Sequence, residues 1–168
     1  MPRAKLGHAH LLVRDVERST EFYTSILGLR VTEQAPERWA FLTSGDLHHE
    51  LALSQLGPDA PGPEEHRVGL FHLAFDVDSK TAFAEVVKRL IERRVEVRPV
   101  DHRIGWGAYF CDPDGNGLEV YCDTRGEPDG APLWEGRNRP LTVEQVLEHL
   151  RVTSEETTRN PLNGSQAV

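Results

Sequence analysis

The sequence is short of several features, and each shortage excludes something. It holds only two cysteines among 168 residues, Cys111 and Cys122. They stand apart from any CxxC pair, which argues against a disulfide framework or a thiolate zinc site and leaves two reduced thiols. No apolar run approaches the roughly 18 to 20 residues needed to span a bilayer. Met1 to Lys5 lead into a strand-like segment instead of the apolar stretch of a signal peptide, so a cytoplasmic protein with no membrane partner is expected. Basic residues are outnumbered, 19 Lys and Arg against 27 Asp and Glu, for a formal net charge of −8. Such a surface repels a polyanion, and nucleic acid is excluded as a partner. Aromatics are only 7% of the chain, yet 38% hydrophobic residues over this length can still bury a core. Against these shortages stand eight histidines.

The chain reads as one pattern used twice. Leu6 to Val13 alternates as a strand, Asp15 sits at a helix N-cap, and Val16, Phe22, Tyr23, Ile26 and Leu27 recur at helical spacing before Gly28, a left-handed stop. Three short strands follow, over Arg30 to Glu33, Trp39 to Thr43 and His49 to Ser54. Residues 56–67 are rich in Pro, Gly and charge and form a linker. The same grammar then restarts with strand Gly69 to Val77, N-cap Ser79 and a helix carrying Ala82, Phe83, Val86, Val87, Leu90 and Ile91. Strands Glu96 to Val100, Gly107 to Cys111 and Leu118 to Cys122 complete it, the last two joined by the turn Asp112-Pro113-Asp114-Gly115-Asn116-Gly117. His8 and His72 open equivalent strands 64 residues apart, the mark of an internal repeat. The expected organisation is α+β: module 1 over 6–55, the linker, module 2 over 68–123, and a C-terminal extension 124–150. In that extension Thr142 and Gln145 form a capping box before a short helix. Residues 151–168 have little to bury and are expected to be a disordered tail.

His8, His72 and Glu119 are the natural candidates for a two-histidine, one-carboxylate metal site. That donor set suits divalent iron and leaves up to three coordination positions for substrate and dioxygen. In Phe71-His72-Leu73-Ala74-Phe75 the large apolar residues should face the helix and turn His72 to the opposite, concave face; similar alternation turns Glu119 inward with Tyr121. His8 shares its face with His10, so strand parity leaves both open as ligands, and the repeat offset favours His8.

The stretches GHAHLLVRDVERSTEFYTSILGL, GLFHLAFDV and YFCDPDGNGLEVY resemble the vicinal oxygen chelate superfamily, and within it the type I extradiol dioxygenases that open catechol rings. The resemblance covers residues 6–123. It implies paired βαβββ modules that form a cup-shaped mixed sheet around a metal, with His8, His72 and Glu119 as ligands of Fe(II), or alternatively Mn(II). It places an acid-base role on His49, the active-site tyrosine on Tyr109 and a further substrate-contacting histidine on His102. An imidazole titrating near neutrality is suited to the protons a catechol must lose and regain. Around His102 the pattern departs: Arg103 and Gly105 stand where the family commonly has a glycine and a serine.

The same fold hosts other chemistries. A glyoxalase-type isomerase would use a fourth ligand from the first module, for which Glu50 is the nearby carboxylate. Strand alternation sets Glu50 against His49, and aligning Leu51-Ala52-Leu53 with Leu118-Glu119-Val120 places Ala52 opposite Glu119. The open three-ligand site is therefore expected. A metal-free binder of the bleomycin-resistance sort is the third reading, opposed by the three ligand-type residues. The expected partners are a catechol and O2, and exposed sheet edges favour a homodimer.

Overall fold

A computed structural model of the chain describes residues 2–64, 66 and 68–159. Its elements are β1 Ala9–Val13, α1 Val16–Leu27, β2 Arg30–Ala35, β3 Trp39–Thr43, β4 Leu51–Gln55, β5 Leu73–Asp76, α2 Lys80–Glu92, β6 Arg98–Asp101, β7 Gly105–Cys111, β8 Gly117–Asp123, β9 Arg139–Pro140 and α3 Val143–Arg159. There are two sheets, ordered β1-β4-β3-β2 and β5-β8-β7-β6-β9, so the second repeats the strand order of the first and adds one strand at its edge. The chain divides into two compact units. One takes the chain up to Leu73 together with Cys111–Leu118, and the other takes Ala74–Phe110 and the chain from Glu119 onward. No helix among the described residues is long and apolar enough to cross a membrane.

In the first unit Asp15 caps α1 by accepting from the Arg18 N–H at 2.9 Å, and Gly28 ends the helix with φ 73. The apolar stripe of α1 buries Val16, Tyr23 and Ile26 with Leu11, Val13, Leu42, Leu51 and Leu53 of the sheet. Strand β1 pairs parallel with β4, with His10 opposite Ala52, and β4 pairs antiparallel with β3, with Ala52 opposite Phe41. The turn after β7 belongs to this unit and anchors it. The Asp114 carboxylate accepts from Arg14 Nη1 at 3.1 Å, Arg18 Nη2 at 2.6 Å and Ser19 Oγ at 3.3 Å. Asp112 accepts from the Tyr23 hydroxyl at 3.0 Å. Two buried carboxylates are thus held by side chains of β1's exit and α1, as buried charge requires. Burial, with the nearby negative charge of Asp112, pushes the Tyr23 hydroxyl pKa up and keeps it a donor.

In the second unit Ser79 caps α2 by accepting from the Ala82 N–H at 3.1 Å. Phe83, Val87 and Leu90 are buried in the core with Ala108 and Val120. The capping box forms as expected: Thr142 N–H donates to Gln145 Oε1 at 2.8 Å and Gln145 N–H donates to Thr142 Oγ1 at 3.2 Å. Helix α3 packs against α2. Its Val146 is fully buried, and its His149 ring stands edge-on to Trp106 at 5.1 Å.

The structure corrects some sequence expectations. Strands β1 and β5 begin at Ala9 and Leu73, later than expected. Phe71 does not face the helix: it is 85% exposed, along with Val68 and Leu70, because the segment before Leu73 carries no ladder to orient alternate residues. Strand β4 starts at Leu51; Glu50 still bonds through its backbone to Leu42 and Ala9, while His49 lies before the ladder, where strand parity does not apply. Helix α3 runs to Arg159, into the stretch expected to be a tail; Glu155 and Glu156 there are good helix formers. The rest of that expected tail, 160–168, lies outside the described residues. Strand β9 was not anticipated, since Pro140 argues against a strand; at a sheet edge it is tolerated.

Candidate metal centre

His8 and His72 each stand one residue before the first strand of their repeat. In the first unit His8 is brought against His49, with ring centroids 4.5 Å apart. The His49 ring stacks on Phe41 at 4.5 Å and 19° between planes, and its Nδ1 lies 2.8 Å from Nδ1 of His48. Desolvation first, then the neighbouring His8, His48 and His10, hold His49 below the usual imidazole range. It is therefore a neutral base near pH 7. His10, close enough for its charge to act on His49, has its Nε2 2.8 Å from Ser54 Oγ. His72, in the same unit, is half-buried with its ring 5.3 Å from that of Phe71. A Cβ at Gly117 would meet Phe71 O at 2.4 Å and His72 Cβ at 3.5 Å, so glycine permits the close backbone approach there.

Glu50 is engaged elsewhere. Its Oε2 accepts from the Ser44 N–H at 2.7 Å and from the hydroxyls of Ser44 at 2.5 Å and Thr43 at 3.3 Å. The Ser44 hydroxyl, with the Ser44 N–H, lowers its pKa. Through that oxygen it closes the turn from β3 to β4.

In the second unit Glu119, only 6% exposed, shares a face with Tyr109 and His102. A Cβ at Gly107 would lie 2.4 Å from Glu119 Oε1 and 3.2 Å from His102 Nε2. Gly107 is therefore the cradle that admits the carboxylate. The Tyr109 oxygen lies 2.8 Å from His102 Nε2. Burial first, then the charge of Glu119 and a hydrogen bond to it, push the Tyr109 hydroxyl up to about 12. It stays protonated at neutral pH and can donate. Arg103 takes φ 67, a left-handed conformation that glycine adopts more readily than other residues. Asp101 Oδ1 accepts its N–H at 2.6 Å, and its carbonyl accepts from the Ala131 N–H at 2.7 Å. At Gly105 a Cβ would clash with the Tyr121 ring, so glycine there makes room for Tyr121.

Of the six residues singled out in the sequence, His8 joins His49, and Glu119 joins Tyr109 and His102. The ligand-type residues are divided between the units, His8 and His72 in the first and Glu119 in the second. Among the described residues no group of three or more His, Cys, Asp or Glu is gathered closely enough to hold a metal ion. The donor types fit a borderline divalent ion: imidazoles, and a buried carboxylate seated in a glycine cradle. Sequence reasoning did not single out Gly107 and Phe41, and it placed Trp134 and Asn138 near the pocket only as part of the segment 133–140. Gly105-Trp106-Gly107 inside a strand was the available signal, because interior strand glycines mark close approach.

The profile of the Glyoxalase/Bleomycin resistance protein/Dioxygenase superfamily matches residues 5–120. A Catechol-2,3-dioxygenase of Bacillus subtilis is 33% identical over 118 residues, covering 70% of this chain and 41% of that protein. A Biphenyl-2,3-diol 1,2-dioxygenase of Rhodococcus globerulus is 32% identical over 129 residues, covering 74% of this chain and 66% of that protein. The chain thus spans less than two thirds of the length of these dioxygenase relatives. A Glutathione transferase FosA of Serratia marcescens is 32% identical over 119 residues, covering 69% of this chain and 79% of that protein. Among solved structures, a glyoxalase/dioxygenase from Nostoc punctiforme aligns with a TM-score of 0.60 at 33% identity, covering 71% of this chain and 91% of that one.

Proposed function

The chain belongs to the Glyoxalase/Bleomycin resistance protein/Dioxygenase superfamily, and from that premise we propose that it is an extradiol dioxygenase acting on a catechol-type substrate with O2. The observation that carries this reading is the Tyr109 and His102 pair, 2.8 Å apart, on the face of the buried Glu119. Two proton-handling groups beside a ligand-type carboxylate suit a reaction in which oxygens gain and lose protons. The catechol and biphenyl-diol dioxygenase relatives support it.

His8, His72 and Glu119 would hold the ion, Fe(II) or alternatively Mn(II). A divalent iron held there would supply a Lewis-acid and redox centre shared by the diol and dioxygen. The protein's own contribution is proton handling. His49, kept neutral by its burial and its imidazole neighbours, accepts a proton from the catechol hydroxyl and later returns it. Tyr109, protonated through the neutral range, and His102 hold a proton close to the substrate oxygens and stabilise charge that develops there. A homodimer is part of the proposal: β1, β2 and β5 stand at sheet edges, and edge backbone left open invites pairing.

The test is anaerobic loading of the full chain with Fe(II), addition of a panel of substituted catechols, and measurement of oxygen uptake with formation of a yellow ring-opened product. Uptake with ring opening supports the proposal, and iron binding without uptake contradicts it. A second reading, thiol transfer to an electrophile, is favoured by length, since the chain covers 79% of the FosA relative. Glutathione consumption with no catechol turnover would select it.

A further inference from the structure

The ladder from β6 to β9 pairs Val100 with Pro140 and Asp101 with Arg139. The next step of that antiparallel register sets Asn138 across from His102. The side chains meet there: His102 Nδ1 lies 2.8 Å from Asn138 Oδ1. The same Oδ1 accepts from the indole N–H of Trp134 at 2.8 Å. Indole nitrogen is only a donor, so the atom facing it must be the amide oxygen and not the amide nitrogen. That oxygen can only accept, so His102 Nδ1 must carry a proton. The neutral ring then has its lone pair on Nε2, which faces the Tyr109 oxygen at 2.8 Å.

Local structure holds this chain of contacts in place. Glu135 and Gly136 both adopt left-handed backbone, with φ 53 and φ 69. Arg137 N–H donates to Trp134 O at 3.1 Å, so the turn returns Asn138 beside Trp134. Arg139 Nη1 approaches Asp101 Oδ2 at 3.7 Å across the ladder. All of these residues after 120 lie beyond the superfamily match at 5–120.

We propose that Asn138, oriented by Trp134, is a positioning residue that fixes His102 in its Nδ1–H form and presents Nε2 as an acceptor toward Tyr109. The Tyr109 hydroxyl has one proton and two acceptors in reach, His102 Nε2 and the Glu119 carboxylate. Holding the tautomer decides which acceptor that proton serves when His102 is neutral. If Nε2 carried the proton instead, Tyr109 would be pushed permanently onto Glu119. The catalytic consequence rests on the reading of His102 and Tyr109 given above; the tautomer itself does not.

The experiment is long-range 1H–15N NMR of the full chain, histidine-labelled and metal-free, at about pH 8, where free imidazole is neutral. The wild type should show His102 protonated at Nδ1 with an unprotonated Nε2. Asn138→Leu should shift the ring toward Nε2–H, whereas Asn138→Asp, which keeps an acceptor oxygen, should retain Nδ1–H. Trp134→Phe lets the amide turn over and should give the same shift as Asn138→Leu. It also serves if the leucine variant does not fold. With iron and catechol, Asn138→Leu should lower kcat about 10- to 100-fold, with KM changed much less and recovery in Asn138→Asp. An Nε2–H tautomer in the wild type overturns the proposal, as does a tautomer indifferent to all three substitutions. Ring cleavage absent from a wild type that shows the Nδ1–H form contradicts the dioxygenase reading and leaves the positioning role standing.

Discussion

The two repeats share one backbone plan and differ in what they do with it. In the first sheet Leu56 N–H donates to Val13 O at the end of the β1 and β4 ladder. In the second, Val77 N–H donates to Tyr121 O, which sets Tyr121 where parallel register places Ser54. Ala52 therefore occupies in the first repeat the place of Glu119 in the second. The first repeat offers clustered imidazoles around Phe41; the second offers one buried carboxylate with a tyrosine and a histidine. The second also gains β9 and α3, which cover its edge and helix. A duplicated unit can thus keep its fold, held by equivalent caps at Asp15 and Ser79 and with a histidine before each first strand, while only the second copy adds a buried carboxylate.

The sharpest way to break this division is to remove its carboxylate. Glu119→Ala should lower catechol cleavage by about 10³-fold or more with unchanged circular dichroism. Adding Ala52→Glu to it should restore nothing, since the acid then stands in the wrong repeat. Next comes the imidazole side: His49→Gln should lower turnover about 10²-fold in steady-state oxygen uptake while iron content stays the same. Unchanged turnover would remove His49 from the reaction.

The caps and the helix stripes were legible in the sequence because each depends on neighbours three or four residues apart, and the repeat because that local pattern recurs 64 residues later. Asp15, Gly28, Ser79 and the Thr142 and Gln145 box needed no tertiary information. The role of Asp112 and Asp114 was not legible. They read as turn formers, yet their carboxylates are held by Arg14, Arg18, Ser19 and Tyr23, partners some ninety residues away in sequence. Strand starts at Ala9 and Leu73 were hidden for a related reason, since alternation persists in sequence after the ladder has ended. The contact of Asn138 with His102 was not legible, because only the β6 and β9 register carries it there.

Stability sharpens the comparison further. Asp114→Ala acts on the first unit and should cost about 1–3 kcal/mol, leaving two guanidinium groups to find water. Thr142→Ala acts on the second and should cost about 1 kcal/mol, read as a melting-temperature fall of about 2–4 °C. The smallest effect separates the thiols. Cys111 is exposed and Cys122 buried, and burial pushes the Cys122 thiol up to about 11. A maleimide should label one cysteine quickly and the other only on unfolding. Because the folded state holds the Cys122 proton more tightly, its contribution to stability is intact below the ordinary thiol range and fades as pH rises toward about 11.

The central claim is tested most directly by the ratio of dioxygen consumed to catechol rings opened by the Fe(II)-loaded full chain. The account predicts one molecule of dioxygen for each ring opened, and no consumption in Glu119→Ala. Dioxygen taken up with the ring left closed, or full activity in the alanine variant, would contradict it.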